Sequence, residues 1–147
     1  MFKASGTLIY STNSRRFLLL LRNTSKKRTW GLAGGKCNAK ENEFAAMIRE
    51  CHEELGSLPN LLKIVPLHKF TSSDAKFEYI TWFTAIADEF VPTLNQEHIG
   101  YCWVNQIQDL KPLHPGLQNL IKSTQINKKI YTLVSNIDTS CISFTYL

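Results

Sequence analysis

An α/β fold, with a mixed β-sheet packed between helices, is predicted by three observations. Short runs rich in aliphatic, β-branched and aromatic residues are separated by turn-like segments. One internal stretch switches to a helical period. The resulting order, β-β-α-β-β-β-α, lacks the strict βαβ alternation of a doubly wound unit. Residues 4–10 and 16–21 read as strands around Ser11-Thr12-Asn13-Ser14, which has the composition of a hairpin turn. Residues 23–28 are polar and basic, and residues 30–35 are small and Gly-rich, which reads as a loop. Phe44, Ile48, Cys51 and Leu55 then recur at spacings of four, three and four, predicting an amphipathic helix over residues 42–55 that ends at Gly56. Extended segments are predicted at 61–70, 77–87 and 100–104, and a second helix at 115–126 with Leu117, Leu120 and Ile121 on one face. Residues 130–134 and 141–147 are strand-like runs around Asn136-Ile137-Asp138, so a C-terminal hairpin at 130–147 is expected, with an edge that could pair with a second copy as a homodimer.

A chain of 147 residues suits one domain and buries roughly 70% of the surface its unfolded form would expose. With 44% hydrophobic and 20% charged residues, 7 Gly and 5 Pro, disordered and collagenous classes are excluded. No repeat or linker divides residues 1–147. The longest apolar run, residues 17–21, is far short of the roughly 20 residues that cross a bilayer, and the N-terminus lacks a signal-peptide core. A cytoplasmic protein without membrane contact is therefore expected. Cys37, Cys51, Cys102 and Cys141 are scattered, with no C-x-x-C pair, and read as free thiols. The 17 Lys and Arg against 12 Asp and Glu leave +5, which favours phosphate-bearing partners without singling out nucleic acid or sequence recognition of DNA.

Chemistry is concentrated on the first helix. At 100° per residue, Glu43, Glu50, Glu53 and Glu54 fall within an arc of about 100°, opposite the Phe44/Ile48/Cys51/Leu55 stripe. Like charges at these spacings repel by a few tenths of a kcal/mol each. A hard divalent cation would offset that repulsion, since Mg²⁺ takes oxygen ligands from one or two carboxylates and completes its shell with water and substrate phosphates. Arg49 can orient a neighbouring carboxylate. Gly34-Gly35, one loop upstream, lets backbone approach a metal or phosphate closely, and Glu41 stands at the helix start.

Gly35, Glu41, Arg49, Glu50, Cys51, Glu53, Glu54 and Gly56 stand at the spacing G-x5-E-x7-R-E-U-x-E-E-x-G-U, where U is bulky and apolar. This resembles the Nudix box, with all seven fixed residues matched and only the last apolar position departing, as Ser57. Chance matches in a chain this long are expected on the order of 10⁻⁷ to 10⁻⁶ times. Trp30-Gly31-Leu32-Ala33-Gly34-Gly35 is similar to the family's approach to the box, with Ala33 in place of Pro, while Lys40 stands where many members carry Gly. The resemblance implies a Nudix-type α/β/α sandwich around a mixed sheet, and hydrolysis of a nucleoside diphosphate linked to another group. It also implies Mg²⁺, with Mn²⁺ as a substitute, held by Glu53, Glu54, the Gly35 carbonyl and Glu50, the last acting as ligand or base. Arg49 would fix carboxylate geometry and Glu41 would be a supporting acid.

Lys36, beside Gly35, and Lys26, Lys27 and Arg28 are candidate phosphate contacts. Glu97 and His98 lie where some members place a catalytic base. His52, His68 and His114 match no motif and are read as structural, and Phe77, Tyr79 and Trp82 as a core strand. A small nucleotide substrate is expected, with an RNA 5′ end as the alternative and a turnover-deficient nucleotide- or RNA-binding module as the rival class.

Overall fold

The computed structural model describes residues 1–144, with side chains as far as Ile137. Strands β1 (Phe2–Ser11) and β2 (Arg16–Arg22) form the expected hairpin, and β3 (Trp30–Gly31) and β4 (Ala33–Lys36) follow. Helix α1 (Glu43–Leu55) leads to β5 (Leu61–Thr71), β6 (Phe77–Ile86) and β7 (His98–Val104). A single 3₁₀ turn at Ile107–Asp109 precedes α2 (Pro115–Lys122) and α3 (Thr124–Phe144).

β1 is the central strand. One edge runs parallel with β6 from Phe2–Phe77 to Ser11–Ile86. Its other edge is shared, residues 9–11 pairing antiparallel with β2 and residues 4–7 with β4. β1 and β2 therefore diverge, and β3–β4 fill the fork by pairing Leu20–Gly31 and Leu21–Trp30 on one side and Thr7–Ala33 to Ala4–Lys36 on the other. The sheet is mixed, as predicted, but the Gly-rich approach expected to be a loop is largely strand. Gly6 and Gly34 face each other there, and a Cβ on Gly34 would strike the backbone of Ser5 and Gly6. That close approach is why side-chain-free residues carry the strand through the fork.

Both sheet faces are covered. Ile9, Leu18, Leu20, Ile86 and Trp103 pack with Met47, Cys51 and Leu55 of α1, while Leu8, Tyr10, Leu19 and Phe83 pack with Leu117 and Leu120 of α2 and Ile126, Ile130 and Ile137 of α3. This is the α/β/α sandwich. The predicted C-terminal hairpin at 130–147 is corrected: residues 130–144 are helical, and 145–147 lie outside the described residues. Ile126, Ile130, Leu133, Val134 and Ile137 recur at helical spacing against the sheet, so burial of one stripe outweighs the strand preference of a β-branched run. With no strand edge there, the expectation of a homodimer through it loses its basis. The helix predicted at 115–126 also breaks, because the Ser123 backbone turns out and its Oγ accepts from Ile126 N (3.3 Å). Among the described residues no helix is long and apolar enough to cross a membrane, and Cys37, Cys51 and Cys102 are free thiols.

Candidate active site

Helix α1 starts where the sequence places it, with Asn42 Oδ1 accepting from Ala45 N (2.7 Å), and stops at Gly56, whose φ of 91° suits a residue without a side chain. Its buried face is not the expected stripe. Ala46, Met47, Glu50, Cys51, Glu54 and Leu55 are buried, whereas Phe44 is exposed and rests edge-on against Trp82. The helix is thus turned by roughly 80° from the predicted orientation, and two carboxylates that looked solvent-facing press onto the fork of the sheet.

The fork holds them. Glu54, 2% exposed, accepts a hydrogen bond at Oε2 from Gly34 N (3.0 Å). The Glu50 carboxylate lies where a Cβ on Gly35 would sit, so that position has to be glycine for the carboxylate to be there. Glu97, in the loop ahead of β7, completes a cluster in which one oxygen each of Glu50, Glu54 and Glu97 lie within 4.8 Å of one another. β7 opens with His98, which is buried rather than in an exposed turn. Its Nδ1 stands 4.0 Å from Glu54 Oε2, beyond hydrogen-bond range, and has no partner.

Arg49 organises the neighbouring acids. Its Nε and Nη2 donate to the two oxygens of Glu41 (2.9 and 3.0 Å), Nη1 to Glu50 (3.0 Å) and Glu53 (3.2 Å), and Nη2 also to the Lys36 carbonyl (2.8 Å). Glu41 Oε1 accepts from Asn38 N (2.9 Å), so the loop ahead of the helix is tied to the same guanidinium. These contacts hold the Glu41 carboxyl below its ordinary range and raise the already high pKa of Arg49. Glu53, half exposed, meets only Arg49 among the described residues and stands outside the three-acid cluster.

The buried acids behave oppositely. Burial raises the Glu50 pKa, with Arg49 opposing. Burial, followed by the hydrogen bond and charge of Glu97, pushes Glu54 up to about 9, the Gly34 amide only partly offsetting it. Glu54 therefore carries a proton at neutral pH while no cation is present. Burial lowers the His98 pKa, and Arg22 adds to the effect, leaving a neutral imidazole. A divalent cation supplies what this arrangement lacks: positive charge at three converging carboxylates whose only guanidinium partner reaches Glu50 alone. The residues present fit such an ion.

The remaining candidates separate. Lys36 is opposite Ala4 on the sheet face away from α1, with its ammonium 5.8 Å from the centre of the Phe2 ring, so the structure does not bring it to the acids. Arg28 and Lys26 line a cavity of about 650 Å³ with Asn23, Thr24 and Ser25, beside Glu97. His114 is structural, its Nδ1 capping α2 by accepting from Gly116 N (3.1 Å), and His52 and His68 are exposed. Two residues near the site carry no motif. Tyr79 has its phenol pushed up to about 12 by burial and the nearby Glu54 charge. Arg22, at the end of β2, places a positive charge close enough to act on Tyr79, His98 and His114.

A nest of carboxylates at the split edge of a mixed sheet, backed by an arginine-clamped helix, has the chemistry of a divalent-cation site. The chain belongs to the NUDIX family, whose domain model matches residues 2–123. Members act on nucleoside diphosphate derivatives, and this chain is one of those pyrophosphohydrolases. Among solved structures it is similar to a Nudix hydrolase from M. smegmatis, at 25% identity and a TM-score of 0.71 over 88% of this chain and 86% of that one. It also shares its fold with the MutT protein of Methanosarcina mazei Go1 (22% identity, TM-score 0.66, 87% and 94% covered). A C. elegans Ap4A hydrolase has the same fold (18% identity, TM-score 0.65, 90% and 98% covered). No curated protein matches the sequence significantly.

Proposed function

We propose that this protein is a magnesium-dependent pyrophosphohydrolase of small nucleotides, converting a nucleoside diphosphate linked to another moiety into a nucleoside monophosphate and the phosphorylated remainder. The observation that carries the reading is the convergence of Glu50, Glu54 and Glu97 at the fork, with Glu54 almost fully buried. Those three carboxylates and the Gly35 carbonyl would hold Mg²⁺, with Glu53 at the rim. When bound, the ion neutralises the pyrophosphate, polarises a phosphoryl oxygen and lowers the pKa of coordinated water.

The chain's own residues do the rest by position. Arg49 locks Glu41, Glu50, Glu53 and the Lys36 carbonyl into one frame, so the acids do not reorganise when substrate arrives. Glu50, wedged against Gly35, serves as ligand. Glu97, the exposed member of the three, closes the cluster on its solvent side. The buried His98 imidazole, neutral and unpartnered, limits water around Glu54 and can accept a hydrogen bond when the carboxyl shifts.

The test is a panel of nucleoside triphosphates, nucleotide sugars and triphosphorylated or capped RNA, scored for nucleoside monophosphate release with and without Mg²⁺. Mg²⁺-dependent release from a small nucleotide is expected. Release from RNA alone would move the substrate to RNA ends, and no Mg²⁺-dependent release from any member of the panel would overturn the proposal.

A further inference from the structure

Charge is distributed very unevenly along the chain. The first forty residues hold nine Lys and Arg and no Asp or Glu. Lys3 and Arg16 find partners in Glu43 and Glu89. Arg22, Lys26, Lys27 and Arg28, four cations within seven residues, pair with no carboxylate among the described residues. Crowding of this kind is unfavourable until an anion arrives.

The loop that carries them is built rather than loose. Asn23 N donates to the Glu97 carbonyl (2.9 Å) and Asn23 Nδ2 to the Gln96 carbonyl (3.0 Å), while Thr24 Oγ1 donates to the Lys27 carbonyl (2.9 Å). Arg22 N donates to the Thr29 carbonyl (3.0 Å) and closes its base. Among the described residues, the backbone N–H groups of residues 24–28 donate to no protein acceptor and stay available to an anion. The cavity of about 650 Å³ that the loop borders is lined by amide, hydroxyl and cationic side chains, with no aromatic or large apolar residue. Such a lining offers no aromatic ring to a base, and much that can bind phosphate oxygens.

We propose that this loop is an oligophosphate subsite adjoining the metal site. The preferred substrate is then a nucleotide bearing at least three phosphates in a chain, with those beyond the scissile bridge held by Lys26, Arg28 and the free amides. A nucleotide sugar has only the two bridge phosphates and leaves the loop empty. This rests on the pyrophosphohydrolase reading and narrows its substrate class.

The experiment compares kcat/KM for a nucleoside tetraphosphate and a nucleotide sugar, with Mg²⁺, in the wild type and in the double variant Lys26→Ala/Arg28→Ala. A second double variant, Lys26→Gln/Arg28→Gln, controls for packing. Losing two charge-assisted contacts should cut the preference for the tetraphosphate by about tenfold or more, chiefly through KM. Calorimetric titration of the metal-free protein with inorganic tripolyphosphate should show a matching loss of affinity. An unchanged preference, or unchanged tripolyphosphate affinity in both variants, would overturn the subsite. Triphosphorylated RNA outcompeting the tetraphosphate, with the same dependence on Lys26 and Arg28, would overturn the small-molecule assignment in favour of RNA. If the wild type shows no Mg²⁺-dependent hydrolysis, the enzymatic reading fails by itself, and the tripolyphosphate titration still decides the subsite.

Discussion

Glu53 and Glu54 are neighbours in sequence and opposites in environment. Glu53 is half exposed and held by Arg49. Glu54 is buried at the fork, bonded to the Gly34 amide and close to Glu50 and Glu97, with no guanidinium of its own. One carboxylate is paired by the fold, whereas the other is buried by it without a guanidinium partner. A residue that a protein keeps buried and uncompensated points to function more strongly than one whose charge is already satisfied.

The sharpest way to break that comparison is Glu54→Gln. Turnover should fall about a thousandfold or more, as expected for losing a metal ligand, while the metal-free protein gains stability. The Glu54 pKa lies near 9 when folded against an unfolded value of 4.5, so the unfolded state ionises first and stability falls as pH rises through that window. The gain from Glu54→Gln should therefore be absent below about pH 4.5 and on the order of 3 kcal/mol at pH 7. Urea titrations with and without chelator check this, and a loss of metal-free stability at pH 7 would contradict it.

Gly35→Ala comes next. Its new methyl group would displace the Glu50 carboxylate, and a shift of about 1 Å costs roughly a hundredfold in kcat/KM; wild-type kinetics would show that Glu50 is not constrained there. Glu53→Gln sharpens the contrast from the other side. It should lower metal-free stability by about 0.5 kcal/mol, the worth of a partly exposed i,i+4 pair, opposite in sign to Glu54→Gln. An effect of the same small size is expected at Lys40, whose φ of 66° puts a side chain in the left-handed region. Lys40→Gly should raise stability by about 0.5 kcal/mol, read as a small increase in Tm.

Most strands and the extent of α1 were legible because they rest on local signals: the apolar and aromatic run at 77–86, the turn at 11–14, the helical period over 42–55 and Gly56 as its stop. Three features were not. β3 and β4 are strands because a fork needs filling, and Gly-rich sequence carries no strand preference of its own. Residues 130–134 favour a strand locally yet form helix, since only there does the Ile126/Ile130/Ile137 stripe meet the sheet. The rotation of α1 was hidden for a functional reason: carboxylates are ordinarily exposed, so Glu50 and Glu54 were assigned outward. The box residues marked the first helix as the place of a candidate metal site, and two of them, Glu50 and Glu54, meet in the acid cluster. Glu97 stood out in the sequence as a candidate base, but its place beside Glu50 and Glu54 needed the structure, because it depends on how the loop ahead of β7 returns beside Asn23.

Crystals soaked in Mn²⁺ and measured at the manganese absorption edge test the central claim most directly. An anomalous peak is expected at the fork, within about 2.0–2.6 Å of oxygens of Glu50, Glu54 and Glu97. A peak coordinated by Glu41 and Glu53 instead, or no peak near those three carboxylates at saturating Mn²⁺, would contradict it.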